Sequence, residues 1–168
     1  MVILGIDPGI AIVGYGIIEY KNNKFRVIDY GAVTTNANTP TDQRLALVYK
    51  GIDILIKNYN IDEVAIEELF FNKNVKTAIT VAQARGVIML ACTHNNKPIY
   101  EYTPLQVKQG VVGYGRAQKM QVQQMVTSLL KLKEIPKPDD TADALAIAVC
   151  HAPVSYTHLR AHETELHL

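Results

Sequence analysis

Apolar positions along this chain follow two periods, and each change of period marks an expected element boundary. Val2 to Ile6 is short and continuously apolar, which predicts a buried strand, and Ala11 to Tyr20, rich in Val, Ile and Tyr, predicts a second. Pro8 and Gly9 turn the chain between them, and the polar run Lys21, Asn22 and Asn23 precedes a third strand, Phe25 to Thr34. An antiparallel meander is expected. From Thr41 to Tyr59 the residues Leu45, Val48, Ile52, Leu55, Ile56 and Tyr59 recur at helical spacing, so an amphipathic helix follows. Asp62 to Glu67 reads as a short strand and Asn74 to Thr93 as a long helix, with Val75, Ala78, Ile79, Ala82, Gly86, Met89 and Leu90 on one face. These residues are small enough there to let another element approach closely. Pro98 to Tyr102 is the next strand, Ala117 to Lys131 a helix with Val122, Met125, Val126, Leu129 and Leu130 inward, and a last helix starts near Asp140. The order predicts a mixed sheet between helical layers, an arrangement whose active sites lie at strand ends.

Composition changes this picture little. The chain has 168 residues, 48% hydrophobic and 20% charged, as expected for one folded domain with little disorder. A formal charge of +1 neither supports nor excludes a nucleic-acid partner, so any basic footprint has to be local. Cys92 and Cys150 sit in apolar helical patterns without metal-ligand spacing, which fits a reducing cytoplasm. The first apolar stretch is broken by Asp7 and Pro8, too soon for a signal peptide or a membrane span.

The end of the chain departs from the rest. Residues 1–153 read as one domain, whereas 154–168 crowd His158, His162 and His167 into a stretch without apolar period. Val154 to Thr164, VSYTHLRAHET, looks like an in-frame translation of a transposon-type sequencing adaptor, so a non-native tail is expected in place of the natural end, the plain alternative being a disordered natural tail. Leaving it out removes only Arg160, Glu163 and Glu165, so the charge balance barely moves. No chemistry is assigned to its histidines.

The candidate chemistry lies in carboxylates. Asp7 closes the run ILGIDPG and Glu67 closes VAIE, so two acidic side chains stand at strand ends. Each also has a plain explanation, since Asp-Pro-Gly is common turn chemistry and a strand end is an ordinary place for a solvated charge. Asp140 and Asp143 share one side of the last helix, where acidic residues near the N-terminus also stabilise the helix itself. His151 lies about 16 Å further along that helix at 1.5 Å per residue, too far to join them on one ion. Four carboxylates that converge repel one another unless a hard divalent cation joins them, and oxygen ligands of this kind suit Mg²⁺ or Mn²⁺. Such ions activate water and stabilise a leaving oxygen in phosphodiester hydrolysis.

The runs ILGIDPG, AIEELFFNKN, QARGV, TPLQVKQGVVGYGRAQKMQVQ and DDTADALAIAVCH, in this order and with these separations, resemble the RuvC family of Holliday junction resolvases over roughly Met1 to His151. The resemblance implies a ribonuclease H-like fold, three-layer α/β/α with a mixed five-stranded sheet. It implies that Asp7, Glu67, Asp140 and Asp143 are the catalytic metal ligands, holding a pair of Mg²⁺ ions in each subunit, with Mn²⁺ as a substitute. Lys108 and Lys119 match catalytic lysines beside the scissile phosphate, and Phe70 matches an aromatic that stacks on an unpaired base near the crossover. Tyr114 and Arg116, with the two lysines, form a local basic and aromatic patch for DNA, which Lys73, Lys76 and Arg85 extend. The family nicks opposed strands of four-way junction DNA as a homodimer during recombination and repair, beside the RuvAB branch-migration complex.

Three rivals share parts of this pattern. Sugar kinases and actin-like ATPases open with a similar strand, acidic residue and glycine turn, but they need two such domains around a nucleotide. A pre-ribosomal RNA nuclease of the same fold would keep the metals and change the substrate. A module that only recognises junction shape would have no use for the carboxylates, which would weaken its hold on DNA. That module does not require them to meet in space, and a nuclease does.

Overall fold

The computed structural model describes residues 1–68 and 75–166, with side-chain surroundings given through Pro153. Strands β1 (Val2–Asp7), β2 (Ile12–Lys21) and β3 (Lys24–Thr34) form the expected meander, with β1 and β2 antiparallel and β2 and β3 antiparallel. Helix α1 (Thr41–Asn58) then crosses to β4 (Glu63–Glu67), which pairs parallel with β1, and α2 (Val75–His94) crosses to β5 (Ile99–Tyr102), parallel with β4. The five-stranded sheet is ordered β3-β2-β1-β4-β5. Helices α3 (Pro104–Val112), α4 (Lys119–Leu129) and α5 (Asp139–Leu166) complete the chain.

Strand periodicity divides the core between two faces. Leu4 and Ile6 of β1, Val13 and Ile17 of β2, and Val64 and Ile66 of β4 pack with Val48, Ile52, Ile88 and Ala91 of α1 and α2. Ile3, Ile18 and Ala65 lie in the other cluster with Val107 and Val111 of α3, Val122 and Val126 of α4, and Leu145 to Val149 of α5. Because side chains alternate, Asp7 follows Ile3 and Gly5, and Glu67 follows Ala65, onto the face that α5 covers. One strand parity therefore carries both carboxylates toward the third acidic element.

Close approach of α5 depends on missing side chains. A Cβ on Gly5 would lie 2.2 Å from the Ala144 carbonyl oxygen, and one on Gly14 would lie 2.0 Å from that of Asp140. Gly14 is the β2 partner of Asp7 in the strand register, so the gap it leaves lets the N-terminus of α5 settle beside Asp7.

Two sequence expectations are corrected. The stretch between Tyr102 and Ala117, to which the periodicity assigns no element, contains α3. Its signal is local: the Thr103 hydroxyl accepts from the Gln106 N–H at 3.1 Å, the Gln106 side chain answers the Thr103 N–H, Pro104 fits the first turn, and Gly113 ends the helix at φ 97°. Helix α2 also turns a different face inward. Ala84, Ile88, Ala91 and Cys92 are buried, while Val75, Ile79 and Leu90 of the expected face are exposed, and nothing stands within 4 Å of where a Gly86 Cβ would be. Apolar residues fall on every side of the helix, among Lys76, Gln83 and Arg85, so periodicity could not choose between its faces. By length and apolarity alone α2 is sufficient to cross a membrane, but its buried residues pack into the core shared with α1 and the sheet.

Near its middle α5 is held by a buried polar group. The Tyr102 hydroxyl bonds His151 Nδ1, and His151 Nε2 bonds Glu63 Oε1 at 2.9 Å, with the Tyr100 ring 4.6 Å away. Burial holds the His151 pKa below its usual 6.5, although Glu63 pulls the other way. A histidine whose folded pKa is depressed stabilises the fold above about 6.5 and loses that contribution as pH falls. His151→Asn is therefore expected to lower the melting temperature at pH 7 and to flatten its fall between pH 6.5 and 5. Scanning calorimetry checks this, and equal pH slopes for the two proteins would count against a buried neutral His151.

Candidate active site

The carboxyl ends of β1 and β4 and the first turns of α5 meet on one face of the sheet. Asp7 is mostly buried, and burial, followed by the charges of Glu67, Asp143 and Asp140, pushes its pKa up to about 9. Its carboxyl shares a hydrogen bond with that of Glu67, whose own pKa is raised by burial and by Asp143, against the opposing effects of that bond and of Lys119. Burial likewise raises Asp143, with Asp139 and Asp140 adding to the effect and Lys119 opposing it. So many acids whose charge is disfavoured, in one place, indicate a site built for a compensating cation.

Lys119, at the start of α4, supplies part of that compensation. Its Nζ lies 3.3 Å from Asp143 and 3.4 Å from Asp139. Burial works against the lysine's charge, but the two aspartates outweigh it and its pKa is raised. The lysine is 58% exposed and leans over the acids from the solvent side.

A cavity of about 270 Å³ opens beside the acids, lined by Glu67, Asp143, Lys108 and Lys119 at polar points and by Val107, Val122, Ala146 and Ile147 beneath. Lys108, expected near a phosphate, thus faces the same cavity as Lys119 from α3. Tyr114 and Arg116 are exposed in the connection between α3 and α4, and Lys76 is exposed near the start of α2. Phe70 and Lys73 lie outside the described residues.

Arg85 is placed differently from the expected DNA patch. Its side chain is 13% exposed; Nε donates to the Glu67 carbonyl oxygen at 3.1 Å and Nη2 reaches Glu101 on β5. The guanidinium is occupied inside the fold. Sequence reading missed this role because the partners come from β4 and β5, far away along the chain.

The donor set fits a hard divalent cation: Asp7, Glu67, Asp140 and Asp143 offer oxygen only, and burial and crowding disfavour the charge of Asp7, Glu67 and Asp143. Among the described residues no group of three or more His, Cys, Asp or Glu side chains is placed as it stands to hold a metal ion. The Asp7 carboxyl is engaged with Glu67 and the Asp143 carboxylate with Lys119, so the acids share a site and are turned to one another's neutralisation.

A mixed five-stranded sheet with acids at the ends of its two central parallel strands, faced by an acidic helix start, defines the ribonuclease H-like class of nuclease folds. The family described as "Crossover junction endodeoxyribonuclease RuvC" matches residues 3–151, and the chain belongs to it. The protein of that name from Clostridioides difficile (strain 630) is 80% identical over 152 residues, 90% of each chain. That from Alkaliphilus oremlandii (strain OhILAs) is 64% identical over 90% of this chain and 93% of its own. Among solved structures, Thermus thermophilus RuvC in complex with Holliday junction substrate is 36% identical, with a TM-score of 0.89 over 94% of this chain and 96% of that one. The yeast mitochondrial Holliday junction resolvase, at 14% identity and a TM-score of 0.67 over 98% of this chain and 85% of that one, shares the fold.

Proposed function

We propose that this chain resolves four-way DNA junctions by paired, metal-dependent nicks, with Asp7, Glu67, Asp140 and Asp143 as ligands for a pair of Mg²⁺ ions that Mn²⁺ replaces. The observation that carries the reading is the buried acid cluster at the ends of β1 and β4, in a chain 80% identical to a crossover junction endodeoxyribonuclease. Bound there, the ions supply an activated water and counter-charge for the leaving 3′ oxygen. The chain's residues do the rest. Asp7 and Glu67 are fixed by the sheet, Asp143 by α5, and Lys108 and Lys119 hold the phosphate at the rim of the cavity they share. Tyr114, Arg116, Lys73 and Lys76 extend that hold along the strand backbone.

Phe70 stacks on an unpaired base at the crossover. Phe70→Ala is expected to slow cleavage of an intact junction more than it weakens binding, by the ~1–3 kcal/mol of one base–aromatic stack. Rates on a junction and on a pre-opened junction distinguish this, because only the intact substrate needs the wedge.

Two opposed strands require two active sites, so the working unit is a homodimer. The stripe of exposed Val75, Ile79 and Gly86 with half-buried Ala82 and Met89 supports it, since spacings of four and three make a helix-pairing seam with small residues for close approach. The nuclease unit is residues 1–153, with 154–168 a non-native tail, and the family match over residues 3–151 supports that division. Work in the cytoplasm beside the RuvAB complex follows from the same kinship.

The test is a Mg²⁺ titration of strand cleavage on a synthetic four-way junction, with a linear duplex of the same sequence as control. Symmetric nicks that need both metal and junction are expected, from the full chain and from one ending at Pro153. Metal-dependent cutting of duplex or RNA would move the function to a general nuclease, and tight junction binding without cutting would leave only a recognition module.

A further inference from the structure

We propose that Arg85 is a positioning residue for Glu67, acting through the geometry of its guanidinium and not through its charge toward DNA. The proposal rests on the reading of Glu67 as a metal ligand. Glu67 is the last residue of β4, and among the described residues the sheet ladder continues beyond it through the Glu68 N–H to the Tyr102 carbonyl oxygen at 2.8 Å. A ligand at such an end would be free to fray unless something holds its backbone. Arg85 does so from the middle of α2. Its Nε donates to the Glu67 carbonyl oxygen at 3.1 Å, its Nη2 pairs with Glu101, and its Nη1 lies 3.3 Å from Met89 Sδ.

Glu101 is the β5 partner of Ile66, so the two anchors sit on adjacent strands and the planar fork ties both to the helix. A lysine at this position keeps the charge but offers one point where the fork offers two, and it cannot span carbonyl and carboxylate together. Glu67 needs this because a metal ligand works only when its backbone is fixed to within about half an ångström. The low exposure of Arg85 also leaves little of it for a phosphate.

Three variants test this: Arg85→Lys, Arg85→Gln and Glu101→Gln, the last at a 43% exposed position where folding is expected to survive. Mn²⁺ binding to the DNA-free protein is measured by calorimetry, and junction binding separately in Ca²⁺. Arg85→Lys is expected to weaken Mn²⁺ binding by about tenfold or more while junction affinity stays within about twofold, with a smaller loss of the same kind in Glu101→Gln. Wild-type Mn²⁺ affinity in Arg85→Lys and Glu101→Gln would overturn the proposal. So would an Arg85→Gln protein that loses junction binding with its metal requirement unchanged, since that marks a DNA contact. Glu67→Gln separates the two levels: if it binds Mn²⁺ normally, the ligand assignment itself fails, whereas a loss there with an unaffected Arg85→Lys sinks only the positioning role.

Discussion

Asp7→Asn is expected to lower strand cleavage by about a thousandfold or more while junction binding stays near wild type. The substitution removes a metal ligand's charge and no phosphate contact; several kcal/mol of metal-derived transition-state stabilisation, about 4, corresponds to about three decades in rate. The same change should stabilise the metal-free protein at alkaline pH. Asp7 has its folded pKa raised from 3.8 to about 9, so the stability that its protonated form contributes is fully present below about pH 4 and is lost as pH rises toward 9. Asparagine cannot ionise and lacks that slope. Calorimetry in chelator from pH 6 to 9 should show the wild type losing stability faster than the variant, while added Mg²⁺ raises the wild-type melting temperature more than the variant's. Unchanged cleavage, or a variant that folds but no longer binds junctions, would remove Asp7 from the metal-ligand role.

Gly14→Ala is expected to be nearly as damaging to activity, from a residue with no functional group. A methyl at this position would stand 2.0 Å from the Asp140 carbonyl oxygen and 2.3 Å from its carbon, both backbone atoms at the start of α5 that cannot swing aside. Relief requires the helix to lift from β2, which carries Asp140 and Asp143 away from Asp7 together. Overpacking of this kind costs about 3 kcal/mol, a fall of roughly 10 °C in melting temperature for a domain of this size. The two consequences are separable: at a temperature where the variant is folded, Mg²⁺ should still bind more weakly and cleavage should remain low. A variant that is less stable yet cleaves normally when folded would show that the helix position is not critical to the site.

Much of the fold was legible because both periods are strong in this sequence. The short apolar runs β1 and β4 and the Val- and Ile-rich β2 were recognisable, and they placed Asp7 and Glu67 at strand ends; the pairing of β1 with β4 then set the two side by side. The spacing of Asp140 and Asp143 put them on one side of α5. Helix α3 was missed although Thr103, Pro104, Gln106 and Gly113 mark its two ends, because nine residues with two buried valines give little periodicity to count.

The amino-acid sequence determined the donor chemistry and the faces that strand alternation dictates, since both are set by neighbours a few residues apart. Tertiary structure decided the rest: which side of α2 is buried, that Arg85 holds the backbone of Glu67, and that Gly14 makes room for Asp140. Each of these depends on groups distant along the chain approaching within a few ångströms. Such an approach is fixed by packing of the whole core, and no local pattern of residues encodes it.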